Sequence, residues 1–408
     1  ANSRISMSNN DGGNTGNTIF GHTAWQQSGN VGADYNTIFG QEAMGSGNIG
    51  AAERNTGIGF AVMRSITTGD SNSAVGADAL YALTEGGANV AIGRDSGKAM
   101  TATSYTTLIG KSSGAAINND TANGTTAVGY ESLTSLTSGG SNTALGFETG
   151  KHNASGGLNT WVGYQAGLGA SGQNNSQNTG VGYRAGYSIT TGNDNTLIGR
   201  QSGLLVSTGI QNSMLGMNTG VNLTIGRYNT AIGNDALYTD DVGDRTTAIG
   251  LGSLYSQNSD TNNEVTGNTG VGFKTGYTNV TGTYNTYVGY NAGYGGGSSS
   301  QNVSVGGNSM VAVNGGDNNV AMGYGSLLAL TSGDNNVAVG HSTLLNVATG
   351  DFNIAIGKAA LDAADGAESH NIAIGGDALG NLNSDGATRN IGIGNYSGDG
   401  MGTVGNHT

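Results

Sequence analysis

Apolar and polar positions along this chain recur with a period of about 17 residues. The clearest copy of the unit is Asn229-Thr230-Ala231-Ile232-Gly233, and 22 near copies run from Asn17-Thr18-Ile19-Phe20-Gly21 to Asn390-Ile391-Gly392-Ile393-Gly394. Most copies start 17 residues after the one before, with a few intervals of 18 or 19 and one of 22. A short period held over nearly the whole chain predicts a solenoid, in which each repeat is one coil and touches only its neighbours.

Each place in the unit implies a physical role. The fifth residue is Gly in every copy, including Gly21, Gly93, Gly163, Gly233, Gly306 and Gly357. This invariance predicts a turn that needs a positive φ or leaves no room for a Cβ. The fourth residue is always Ile, Val, Leu, Met or Phe, and the second is Thr, Ser, Val or Ile, with Val or Ile throughout the last six copies from Val303 to Ile391. Places two and four share one face of a strand, and their branched, apolar character predicts that this face points inward. Place three would then point outward. It often holds Ala, Gly or a large apolar residue such as Ile19, Ile38, Leu108, Trp161, Leu197, Met214 or Tyr287. A stripe of that kind is unusual on a monomer and favours association. Asn opens 19 copies and Thr three, so stacked coils would set the amides in a hydrogen-bonded ladder.

The second half of the coil is patterned too. Three residues after the constant Gly comes a small residue, followed by a large apolar one (Leu80, Leu133, Leu237, Leu361) or by Gly (Gly97, Gly150, Gly203). In many coils another apolar residue follows, as at Ile66, Leu83, Met100, Ile117, Leu136, Ile189, Leu330 and Val347. This spacing predicts a second inward-facing strand, closed by a Thr-Gly-Asp or Ser-Gly-Asp turn. The expected fold is therefore all-β: a parallel β-solenoid (β-roll) of about 22 coils over residues 17–398. A lead-in, 1–16, would precede it, and a tail, 399–408, would continue into a further segment.

Composition narrows the function. The chain has 77 Gly, no Pro and no Cys. A Pro inside a coil would remove a ladder donor. Zero Cys rules out disulfides, thiolate metal sites and cysteine nucleophiles. A net charge of -13 without any basic stripe argues against nucleic acid, and no apolar run reaches the length of a membrane span. His22, His152, His341, His370 and His407 occupy unrelated repeat places with no partnered nucleophile or acid, so no enzyme activity is expected. Gly-rich strings follow the coil period and match no phosphate loop.

The motifs Asn-Thr-Ala-Ile-Gly at 229–233 and Asn-Val-Ala-Ile-Gly at 89–93 resemble the repeats in the head domains of trimeric autotransporter adhesins. With Asn229 to Leu237 and Asn353 to Leu361, they are equally similar to the repeats of bacteriophage tail fibres. The resemblance implies a β-roll assembled as a homotrimer, although the coil is longer than the adhesin coil. It also implies a structural fibre or shaft outside the cell, on a virion or cell surface, that supports host attachment. A bacterial adhesin binding glycans or matrix is the alternative, and an ice-binding protein a more distant one.

Two rows of side chains are candidate sites. The residue after the constant Gly is Tyr130, Phe147, Tyr164 and Tyr183 on four consecutive coils, bracketed by Arg94 and Lys111 before and Arg200 after. Such a row could bind a cell-surface glycan, whose apolar faces stack on aromatic rings, or its rings could simply pack on one another. Asp317, Asp334 and Asp351 sit two residues before the opening Asn on three consecutive coils. Carboxylates repeating about every 5 Å would be solvated turn residues or would hold Ca²⁺. No other cofactor is expected. The Thr column from Thr18 to Thr286 would suit an ice-binding face only if it pointed outward, and the inward reading of place two argues against that.

Overall fold

The computed structural model describes residues 5–6, 15–25, 32–45, 49–259, 261, 264–364, 366–383 and 386–400. Most of the lead-in 1–16 and of the tail 399–408 thus lies outside the described residues, as does His407. The chain forms two compact units, Ala1–Gln201 and Ser202–Thr408. Among the described residues there is no α-helix, and every pentapeptide forms one three-residue strand. The first unit holds eleven of these, from Thr18–Phe20 to Thr196–Ile198, and the second eleven, from Ser213–Leu215 to Ile391–Ile393. Within each unit consecutive strands pair in parallel without slippage. Thr160 lies opposite Thr179 in the first, and Thr230 and Ile232 lie opposite Thr247 and Ile249 in the second. Even the longest repeat keeps register, with Thr247 opposite Thr269, so its extra residues are absorbed outside the strand. Each unit is a parallel β-solenoid. One antiparallel strand, Ile5–Ser6, pairs with Thr18–Phe20.

The strand faces the opposite way from the sequence expectation. Place three is buried, as at Ile38, Ala91, Leu108, Trp161, Ala231, Tyr287 and Ala355. Places two and four flank it on the outer surface, partly or fully exposed. The reason is volume. The interior is thin, and place three shares it with the residue four beyond the constant Gly. In most coils with Ala at place three the counterpart is large: Ala74 with Leu80, Ala127 with Leu133, Ala231 with Leu237, Ala355 with Leu361. Where both are small, as at Ala91 with Gly97 and Ala144 with Gly150, large side chains of adjacent coils, Leu108 and Trp161, lean into the space. Ile38 and Met44 are both large, and the next coil makes room with Gly57, where a Cβ would lie 3.2 Å from Ile38. Where place three is Leu108, Trp161, Leu197, Met214 or Tyr287, the counterpart is Gly. A Cβ on Gly114 would come within 2.9 Å of Leu108, one on Gly220 within 2.6 Å of Met214, and ones on Gly167 and Gly293 would collide with Trp161 and Tyr287. Such exchange keeps the core close-packed at nearly constant volume.

The second half of the coil is not a strand. Ile66, Leu83, Met100, Ile117, Leu136, Ile189, Leu330 and Val347 are buried as expected, but they sit on consecutive turns. These turns place ordinary residues in the left-handed region, as at Tyr228 (φ 61), Asp235 (φ 54) and Leu237 (φ 52). The conformation costs roughly 1–2 kcal/mol per residue. Inter-coil hydrogen bonds offset that cost: Asp235 N–H donates to Met217 O of the preceding coil and Leu237 N–H to Ser253 O of the following one, both at 3.0 Å. The turns thus send some amides up the stack and others down it.

Two columns lock the coils together. Each opening Asn is buried; Asn336 Oδ1 accepts from Asn353 N–H and from Asn353 Nδ2, both at 3.0 Å, while Asn336 Nδ2 donates to Gly350 O at 2.7 Å. The constant Gly has positive φ throughout, from 117 at Gly394 to 145 at Gly21. Its α-carbon also abuts the next coil: a Cβ on Gly93 would lie 2.5 Å from Gly110 O, and one on Gly306 would lie 2.5 Å from Gly323 O. Both conditions exclude a side chain.

Candidate functional site

The outer sheet face carries the Thr column of place two beside the aliphatic column of place four. In place four Ile58, Ile92, Leu145, Leu215, Met322, Ile356 and Ile393 are exposed, with Leu145 and Leu215 both 49 % accessible. Neither column contains a charged residue in any copy. The hydroxyls of Thr37, Thr56, Thr107, Thr126, Thr143, Thr160 and Thr179 have no protein partner. Buried Ser and Thr three places after the constant Gly behave differently: Ser96, Thr149 and Thr343 each donate to a backbone carbonyl at 2.7–2.8 Å. From Val303 onward place two is aliphatic as well, so the face becomes wholly apolar there.

The aromatic row forms as one continuous stack. Tyr130, Phe147, Tyr164 and Tyr183 stack with ring centroids 5.1, 5.2 and 5.5 Å apart and planes within 11°. Lys111 Nζ sits 5.2 Å from the Tyr130 ring centre and Arg184 Cζ 5.2 Å from that of Tyr183. The rings therefore spend their faces on one another and on two cations, presenting edges to water. Arg94 turns away to pair with Asp95 at 3.1 Å, and Arg200 follows in the same column one coil beyond Tyr183. Beside the stack, Lys151 bridges Glu131 at 2.6 Å and Glu148 at 2.7 Å. Its hydrogen bonds hold both carboxyls below the usual Glu range, and theirs raise the Lys151 ammonium above its usual value.

The three aspartates also align, and each is used by the turn. Ser300 N–H donates to Asp317 Oδ1, Asp317 N–H to Asp334 Oδ1 and Asp334 N–H to Asp351 Oδ1, at 2.7, 2.7 and 2.8 Å. Among the described residues no group of three or more His, Asp or Glu converges in a way that could hold a metal ion. Asp34, Asp70 and Asp244 accept a backbone amide at the corresponding corner, which identifies the contact as a general device of the coil.

Several residues escaped the sequence reading. A second stack, Tyr238, Tyr255, Tyr277 and Tyr294, has centroids 5.0, 5.0 and 5.3 Å apart. Burial and the neighbouring phenols raise the Tyr255 pKa. Phe273 stacks on Tyr290 and Tyr324 on His341. Writing the coils one beneath another would have shown both rows, at one and five residues past the constant Gly. In the longest repeat Thr246 interrupts the Asn ladder, and Gln257 fills the gap. It donates to Thr246 Oγ1 at 2.9 Å and to Asp240 Oδ2 at 2.8 Å, and accepts from Asn268 Nδ2 at 3.0 Å. Burial pushes the Asp240 carboxyl up.

The chain matches no protein-family model and no curated protein. Among the described residues no helix is long and apolar enough to cross a membrane. The geometry offers columns of like side chains repeated from coil to coil.

Proposed function

We propose that this chain is the shaft of an extracellular or virion fibre, whose copies associate side by side as a homotrimer and support attachment to a host or surface. The observation that carries this reading is the uncharged outer sheet face, where two aliphatic columns run together from Val303 to Ile393. Contiguous apolar surface of this kind marks an interface. The resemblance to tail fibres and trimeric adhesins supplies the stoichiometry, and identical uncharged faces let copies of an acidic chain approach where charged ones would repel. Sedimentation equilibrium at micromolar concentration tests it. Three times the chain mass of 40.6 kDa is expected, and a monomer with this face open would refute the shaft reading.

One observation favours a second reading. The outward Thr column, with free hydroxyls beside aliphatic side chains at a spacing of about 4.8 Å along the stack, is also the surface an ice-binding protein would need. The sequence argument against that reading rested on the inward direction of place two, which the structure reverses. Thermal hysteresis at micromolar protein would favour it over the shaft; its absence would leave the shaft alone.

A further inference from the structure

The residue after the constant Gly runs Phe273, Tyr290, Gly307, Tyr324 and His341 over five consecutive coils of the second unit. Phe273 stacks on the outer face of Tyr290 with centroids 5.2 Å apart, and His341 on the outer face of Tyr324 at 5.4 Å. Gly307 contributes no ring between them. The inner faces of Tyr290 and Tyr324 consequently confront each other across one coil, each braced from behind by another ring. Both tyrosines are 56 % exposed, against 38–43 % for the four rings of the unbroken row at Tyr130 to Tyr183. That difference is what one uncovered face on each ring would give.

The width of this slot follows from the coil rise. Two coils set the rings about 9.6 Å apart at a rise of about 4.8 Å. Tyr324 leans inward and narrows the gap, since its Cδ2 lies 3.3 Å from where a Gly307 Cβ would stand and its Oη accepts from Asn308 Nδ2 at 3.5 Å. A planar ring sandwiched at carbon contact distance needs roughly 7–8 Å between the flanking planes. A puckered pyranose, thickened by C–H groups on both faces, takes up the remainder. The polar groups beside the slot are neutral: Asn308 Oδ1 accepts from Asn291 Nδ2 at 3.3 Å, while Asn291 Oδ1 lies buried without a protein partner and would be reached by a hydroxyl only after a turn of its amide. From 285 to 341 the only charged side chains are Asp317 and Asp334, both engaged with backbone amides at the turn.

We propose that Tyr290, Gly307 and Tyr324 form a clamp for a single neutral pyranose ring, held between two aromatic faces with its hydroxyls toward Asn291 and Asn308. The closed row at Tyr130 to Tyr183 cannot act this way, because its faces are already stacked. The clamp stands on the ring geometry and is independent of how copies of the chain associate.

Saturation-transfer NMR on the full chain with the methyl glycosides of glucose, galactose and N-acetylglucosamine tests it, at ligand concentrations on the order of 10 mM to suit the millimolar affinity of so small a contact. The wild type is expected to transfer saturation to ring C–H protons of at least one glycoside. Gly307→Phe, which continues the stack and whose Cβ meets only the movable Tyr324 ring, should abolish the transfer while leaving the melting temperature unchanged or higher. Tyr324→Ala should reduce transfer at least fivefold. No transfer from any glycoside to the wild type, or undiminished transfer in Gly307→Phe, overturns the proposal. Saturation transfer to p-cresol with none to any glycoside would show an aromatic slot that does not take a saccharide and overturns the saccharide assignment.

Discussion

Replacing Asn336 tests the buried amide ladder directly. Its Oδ1 accepts from the Asn353 backbone N–H and side-chain amide, and its Nδ2 donates to Gly350 O and Asn319 Oδ1, all within 2.7–3.1 Å and out of contact with water. Asn336→Ala leaves the Asn353 N–H and the Gly350 carbonyl buried without partners. At about 1–3 kcal/mol for each of the two orphaned groups, the expected loss is roughly 2–6 kcal/mol. Asn336→Asp has nearly the same shape and keeps the acceptor, but turns an oxygen toward Gly350 O and Asn319 Oδ1 and buries a charge with no cation nearby. Its folded-state pKa must therefore rise above the unfolded value. Stability is then greatest below about pH 4, the ordinary Asp range, and falls as pH rises through the interval between the two values. Urea denaturation followed by circular dichroism, at pH 3.5 and pH 7, reads both effects. Hydrogen exchange at the Asn353 and Val337 amides localises them, because a coil couples only to its neighbours. Asn336→Ala costing under about 0.5 kcal/mol would show that the ladder contributes nothing beyond ordinary surface substitution. Asn336→Asp matching the wild type at pH 7 would show that water reaches it.

Gly306→Ala has no soft neighbour to displace, because its Cβ would meet backbone atoms of Gly323 at 2.5 and 2.7 Å while φ stays at 133. A loss above about 3 kcal/mol is expected, and an unchanged melting curve would remove the Gly column as a structural cause. Lys151→Met should return the Glu131 and Glu148 carboxyls toward their ordinary range, read by ¹³C NMR titration. Because those folded-state pKa values are lowered, the pair stabilises above the ordinary Glu pKa and loses that contribution as pH falls through the lowered values. The worth at pH 7 is about 1 kcal/mol or less for a pair at the surface, and unmoved titrations would exclude Lys151 as the cause.

Much of the architecture was legible because it is periodic. Obligatory Gly at Gly93 or Gly306, an amide at Asn336, and a 17-residue spacing can be satisfied together only by stacked coils, so strand positions, parallel register and the Asn ladder followed from counting. The aspartate corner and the aromatic row at Tyr130 to Tyr183 were likewise visible as columns. Their chemistry was not: whether a ring offers a face or an edge depends on the neighbouring coils, and only the structure showed that row closed and the Gly307 interruption open.

The direction of the strand was beyond the sequence for a related reason. A three-residue strand alternates apolar and small residues in either orientation, and composition favours the larger ones inside. What decided the matter was the width of the interior, which Ala231's place shares with Leu237's, so that in most coils a large side chain at one is matched by a small residue at the other, and exceptions such as Ile38 with Met44 are compensated in the next coil, at Gly57. Local pattern determined that these residues form a solenoid; the volume available between its two walls, a property of the assembled coil alone, determined which face meets water.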